Sequence, residues 1–438
     1  MDILELLKAT VQFRVFDYLR ELYGPNLYME AAFDLVGILT VSTFCLLIVL
    51  FLILWERWVI ARIQDRIGPN RVGKWGMLQT VADVGKLLTK EVIIPRGADK
   101  PAYIVAPLLI VMASLVVWAV LPFAPGVIGT DLNIGVFYFL AVSSASVVCL
   151  LLAGWGSNNK YALLGAFRAV AQLVSYEVPM VISLVVPILL ARSMSTQSIV
   201  EAQVYPFFAV VPLSAIIFFI SALAETGRTP FDLLEAESEI VAGFHVEYTG
   251  MLFGMFFLAE FISTLFMSGL FATVYLGGWN LPLINLLLSF TEIGPIEFAN
   301  PDALFGLGRP LALLVFFAKM FGTYFVFIWI RGTLPRVRVD QMLDLNWKFL
   351  VPLSLVVLLV VAILDKILFS TGLATGPTGD LIRTLAHLVS NIVIFMGTME
   401  IVRRYARRRR AENASVPVGV SAAVEQEDMK SWQPAGTD

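Results

Sequence analysis

The chain of 438 residues is 58% hydrophobic and 15% charged, against about 45–50% and about 25% in soluble domains. A mean hydropathy of +0.81 leaves too few charges to cover a water-soluble surface, which excludes a soluble enzyme, and a formal charge of −3 is too small to point to nucleic acid. Two cysteines (Cys45, Cys149) and two histidines (His245, His387), none at ligand spacing, offer no iron–sulfur, haem or zinc site, so any redox role takes its electrons from a partner.

In chain order, residues 3–22 carry a helical stripe (Leu4, Leu7, Val11, Val15, Tyr18, Leu22) broken by Lys8, Arg14, Asp17 and Arg20. The pattern predicts an interfacial helix within an N-terminal segment 1–30. Its acidic start, Asp2 and Glu5, argues against a cleaved signal peptide. A span needs about 20 mostly apolar residues. By that measure a membrane domain over 31–405 holds about nine spans, near 35–55, 103–122, 134–153, 169–191, 206–224, 250–275, 311–330, 349–368 and 381–402. The fold class is therefore all-α and polytopic. The last span is the weakest, because Arg383, His387 and Glu400 fall in it; the latter two are expected at neighbours or at the interface. Residues 406–438 are polar, rich in small side chains and aperiodic, and read as a disordered tail.

Most of the 31 lysines and arginines fall on one set of connections, including loops 56–102 and 225–249 and the arginine run after residue 402. That side reads as cytoplasmic. An odd number of spans then puts the N-terminus outside and the tail inside.

Two loops on that side are too unusual to be mere connectors. In the first, Met77, Val81, Val84, Leu88 and Val92 recur every three or four positions, with Asp83, Lys86 and Lys90 on other faces. This predicts an amphipathic helix lying on the membrane or against a partner. It serves either topology and headgroup binding or a basic portal for an amphiphile. In the second, Glu225, Asp232, Glu235, Glu237, Glu239 and Glu247 face one cation, Arg228. Such crowding raises carboxylate pKa values unless cations from elsewhere neutralise it. The segment is either a docking surface for a basic partner or a proton-accepting mouth. Inside spans lie Glu177, Glu260 and Lys319, each costing about 2.5–3.5 kcal/mol if unpaired. Glu260 and Lys319 either neutralise each other or join Glu225 and Glu177 in a proton path. Nothing resembles a nucleophile elbow, a phosphate-binding loop or a dinucleotide fingerprint.

The run Glu56-Arg57, Gln64, Arg66, Gly68-Pro69-Asn70, Gly73, Gly76, Leu78-Gln79, Ala82-Asp83, Lys86 and Lys90-Glu91 resembles the first cytoplasmic loop of the H-subunit family of respiratory complex I, the proton-translocating NADH:quinone oxidoreductases. The stretches Gly154 to Glu177, Ala224 to Tyr248 and Ile330 to Met342 are similar to that family's other cytoplasmic signatures. Trp58 departs from the basic residue usual there.

The resemblance implies a membrane subunit without a metal, flavin or iron–sulfur cluster of its own, with ubiquinone or menaquinone as substrate. It implies partners too: two hydrophilic subunits, one with the terminal iron–sulfur cluster, adjacent small membrane subunits, and the lipid bilayer. Carried over position by position, Arg57, Asp83, Lys86, Arg228, Phe231 and Arg331 would line or gate the quinone passage. Glu177, Glu225, Asp232, Glu235, Glu237, Glu239, Glu247, Glu260 and Lys319 would form the polar path that couples quinone reduction to proton translocation. A proton-coupled transporter and a purely structural anchor are the competing classes; visible internal repeats would favour the transporter, and none is seen.

Overall fold

A computed structural model describes residues 27–232, 243–281, 308–371 and 376–415. Among them the secondary structure is helical, with one isolated bridge between Ala124 and Val127. The helices, in order, are α1 (Leu27–Ile63), α2 (Gln79–Thr89), α3 (Lys100–Val116), α4 (Gly135–Gly156), α5 (Lys160–Ala191), α6 (Thr196–Glu201), α7 (Phe207–Val210), α8 (Pro212–Glu225), α9 (Gly250–Tyr275), α10 (Gly308–Thr333), α11 (Val339–Leu345), α12 (Val351–Ser370) and α13 (Gly376–Ser415). Eight stretches among the described residues are long and apolar enough to cross a membrane. The protein is multi-pass. Their outward residues suit a lipid surrounding: Leu35, Ile38, Leu39, Leu47 and Phe51 on α1 are all exposed, a continuous apolar surface that water would not tolerate.

The fifth expected span, 206–224, is where the structure differs. It is two helices, α7 and α8, broken at Val211 (φ −129°, ψ 65°). Pro212 has no N–H to continue the α7 ladder and sits instead at the first position of α8, where its fixed φ starts a helix. At about 1.5 Å per residue, the 14 residues of α8 rise about 21 Å, so α8 alone is short of the ~30 Å hydrocarbon layer and the fifth span needs α7 as well. At the end of the chain α13 runs to Ser415, past residue 405, because arginine and alanine are good helix formers. The interfacial segment up to residue 26, positions Glu235, Glu237 and Glu239, and the tail after 415 lie outside the described residues.

The chain falls into two compact units, residues 1–388 and 389–438. Within the first, a core forms where α3, α4, α5 and α9 meet: Tyr103, Ala106, Leu150, Ala153, Ala166, Ala169, Leu173, Phe244, Tyr248 and Phe256. Small residues let the helices approach, as expected between spans. Gly165 shows the backbone form of this contact. A Cβ there would lie 2.6 Å from the Gly243 carbonyl carbon, so only glycine admits the short 3₁₀ turn Gly243–His245 against α5. Tyr103 and Tyr248 then lock that turn. Their rings stack at 4.1 Å, the Tyr103 hydroxyl donates to the Glu247 carbonyl at 2.7 Å, and the Tyr248 hydroxyl donates to the Tyr103 carbonyl at 3.1 Å.

Candidate functional site

The end of α8 aims the central cation. Its last turn closes with Gly227 at φ 62°; the Gly227 N–H donates to Ala224 O at 3.2 Å and the Arg228 N–H to Leu223 O at 3.2 Å. That paired closure satisfies the terminal carbonyls and reverses the chain. Arg228 is thereby turned into the protein, 4% exposed. Its guanidinium lies 3.3 Å from Glu56 of α1 and 3.2 Å from Glu260 of α9, and 4.4 Å over the Phe261 ring. Arg331, in the last turn of α10, also bonds Glu56. Tyr324 places its hydroxyl within the field of Glu56, Arg228 and Glu260.

Two carboxylates and two guanidiniums balance in formal charge. The balance matters, because a buried unpaired ion costs several kcal/mol.

A second pair stands beside this cluster. Arg57, the neighbour of Glu56, reaches Asp83 of α2 at 2.7 Å, and Gln79 donates to the other Asp83 oxygen at 3.3 Å. Lys86 follows on the same helix, exposed. The predicted amphipathic helix is thus tied to α1 by charge, with Val81 and Leu88 turned outward. Phe231 is buried and packs its ring 5.3 Å from Tyr176. Gln172, buried in α5, holds both sides of the turn by donating to Ala224 O and Phe231 O at 2.8 Å each.

Next to the cluster opens a cavity of about 1010 Å³, its mouth included. Its wall is mostly apolar, from α3, α4 and α9, but it contains Glu225, Glu260, His245 and the serines Ser114, Ser143, Ser146 and Ser263. Glu225 Oε2 is buried there without a hydrogen bond among the described residues. Glu177 lies within electrostatic reach of Glu225 and accepts a hydrogen bond from Ser144. Burial pushes the His245 imidazole down to about 4, so it is neutral at pH 7.

Several expected site residues do other work. Asp232 is paired with Arg336 at 3.0 Å, so part of the acidic crowding is relieved by the Ile330–Met342 stretch. Glu247 accepts from Asn159 Nδ2 at 2.6 Å, next to the Asn159 cap of α5. Lys319 does not meet Glu260. Its ammonium donates to Leu276 O at 2.7 Å, Gly278 O at 2.9 Å and Asn280 O, closing the C-terminal end of α9, about 24 Å along the axis from Glu260 at about 1.5 Å per residue. A cation there also meets the negative end of the helix dipole.

His387, expected at an interface, is fully buried, 3.5 Å from Asp365, which also binds Arg383 at 2.7 Å. Sequence reasoning missed Glu56 as the hub and missed Gln172 and Tyr324. For Glu56 a signal existed, a carboxylate at the end of a span; the two neutral residues offered none. Among the described residues no group of three or more His, Cys, Asp and Glu side chains is arranged to hold a metal.

Residues 36–362 match the family model described as NADH dehydrogenase. The chain belongs to that family. Relatives named as the H subunit of NADH-quinone oxidoreductase include one from Dehalococcoides mccartyi (strain CBDB1), 42% identical over 371 residues, covering 85% of this chain and 95% of the relative. Those from Rhodospirillum centenum and Paraburkholderia xenovorans are 43% and 44% identical, covering 75% of this chain in both cases and 92% and 90% of their own lengths. The matched residues include every member of the Glu56–Arg228–Glu260–Arg331 cluster and end before Asp365.

Proposed function

We propose that the chain is the membrane subunit of an NADH:quinone oxidoreductase that forms the quinone-access chamber and begins the polar path to proton translocation. The carrying observation is the buried Glu56–Arg228–Glu260–Arg331 network beside a cavity walled by Glu225 and Glu260. The names of the relatives supply the quinone and the oxidoreductase. The apolar face of α2 and the Arg57–Asp83 pair suit an amphiphile entering from lipid, whose tail needs apolar walls and whose ring needs a few polar groups.

Arg228 is the mechanical part. It is shared between two carboxylates, so negative charge or a proton arriving near Glu56 changes its hold on Glu260. Glu260 belongs to both the cluster and the cavity wall, and it passes the change to Glu225 and on to Glu177. Asp232, Glu235, Glu237, Glu239 and Glu247 extend the acidic surface of this path, and Lys319 positions the far end of α9. Electrons come from a partner subunit carrying an iron–sulfur cluster, docked on loops 56–102 and 225–249. These loops face the cytoplasm of a bacterial plasma membrane, with the N-terminus outside and an interfacial helix over residues 1–30.

The test is Glu260→Gln in the assembled complex. Quinone reduction and proton uptake should both fall at least about tenfold, while NADH oxidation by an artificial acceptor that bypasses quinone stays unchanged. A photoreactive short-tailed quinone should label α2 and the Arg228–Phe231 turn. Full pumping in the variant, or labelling confined to other helices, would refute the assignment.

A further inference from the structure

Helix α13 does not stop where its apolar stretch stops. The membrane-crossing part ends at Arg404, and the same helix continues to Ser415. Six arginines occupy the transition, Arg403, Arg404 and Arg407 to Arg410, against two carboxylates, Glu400 and Glu412. At about 1.5 Å per residue, Arg403 and Arg410 are about 10 Å apart along the axis. That span is comparable with the roughly 5–8 Å of headgroup region that flanks each side of the hydrocarbon core.

Their angular spread is as informative as their depth. At about 100° per residue the six positions leave no arc of the circumference wider than about 100° unoccupied. A helix bound in a protein groove presents charge on one face. A helix surrounded by headgroups meets charge from every side. The surface leading into the collar is apolar and exposed at Met399, Ile401 and Val402, and Arg403, Arg404 and Arg407 are themselves exposed. Arg404 meets Glu400, one turn back, at 2.9 Å.

We infer that residues 403–410 form a binding collar for anionic phospholipids. The guanidinium groups take phosphodiester oxygens in charge-assisted, two-pronged hydrogen bonds. The collar lies beyond the residues 36–362 that match the family. It stands or falls independently of the quinone assignment.

The experiment uses the full-length chain in phosphatidylcholine bilayers carrying trace spin-labelled phosphatidylglycerol or spin-labelled phosphatidylcholine. The immobilised fraction in the electron spin resonance spectrum gives the relative affinity. The wild-type chain should prefer phosphatidylglycerol, and added salt should weaken the preference. R407Q/R408Q/R409Q/R410Q should lower it by about fivefold or more, since one basic residue near an anionic surface is worth about fivefold in affinity. The corresponding four-lysine variant should retain most of it. Glutamine keeps the helix, which far-ultraviolet circular dichroism checks. Equal lipid preference in the wild type and the glutamine variant overturns the inference.

Discussion

Glu56 illustrates how a single side chain can be visible in a sequence and illegible in its role. Beside Arg57 at the end of an apolar run it reads as one of two surface charges. Its cations, Arg228 and Arg331, are 172 and 275 positions away, and nothing local announces them. Its removal leaves Arg331 without its carboxylate and Arg228 with Glu260 alone, so Glu56→Ala should cost about 3–5 kcal/mol. Thermal unfolding of the detergent-solubilised chain measures this, and a loss under about 1 kcal/mol would show that the cluster does not depend on Glu56.

His245 gives a second test. Its folded pKa, near 4, is below the ordinary 6.5. Between those values the unfolded chain holds a proton that the folded chain rejects. The contribution is therefore fully present above pH 6.5 and is lost as pH falls towards 4, by up to about 3 kcal/mol. His245→Asn should flatten the dependence of the unfolding temperature over that window.

Among the elements, the turn after α8 shows a local rule serving a distant contact. Gly227 tolerates φ 62° without the Cβ clash that costs other residues about 1–2 kcal/mol. Gly227→Ala should lose that much stability and also misdirect Arg228, so quinone reduction should fall more than the melting temperature alone accounts for. Unchanged turnover would separate the turn from the site. Gly165→Ala tests the Gly243–His245 turn, whose Phe244 and His245 line the cavity, because the added methyl must push that turn back, an overpacking cost of about 1–3 kcal/mol. The break at Val211 was poorly signalled, because a proline at the start of a helix and a proline inside one look the same until the partner helices are known. The amphipathic α2 was the reverse case. Its period was plain, and the structure trimmed it to Gln79–Thr89.

For the whole molecule, charges buried in the membrane domain collect in separate places. One network joins α1, α8, α9 and α10; Lys319 closes the far end of α9; and Asp365, Arg383 and His387 lock the start of α13 to α12, with Arg383 also donating to Leu190 O of α5 at 3.0 Å. The last group lies outside the family match. Asp365→Asn should therefore destabilise the chain by about 3 kcal/mol and expose α13 to proteolysis, while turnover of the assembled complex holds. A drop in turnover at full stability would instead tie that group to function.

Composition and the run lengths of apolar residues were enough for a helical, multi-pass protein, because the bilayer imposes span length on any sequence that crosses it. The short loop motifs were enough for the family, because such close spacings of glycine, proline and charge are rare by chance. Pairing was a different matter. Whether Glu260 meets Lys319 or Arg228, and whether His387 faces outward or Asp365, depends on how helices far apart in sequence rotate and slide against one another. A buried charge finds its partner only when packing has brought the two within a few ångströms, so only the tertiary structure decided it.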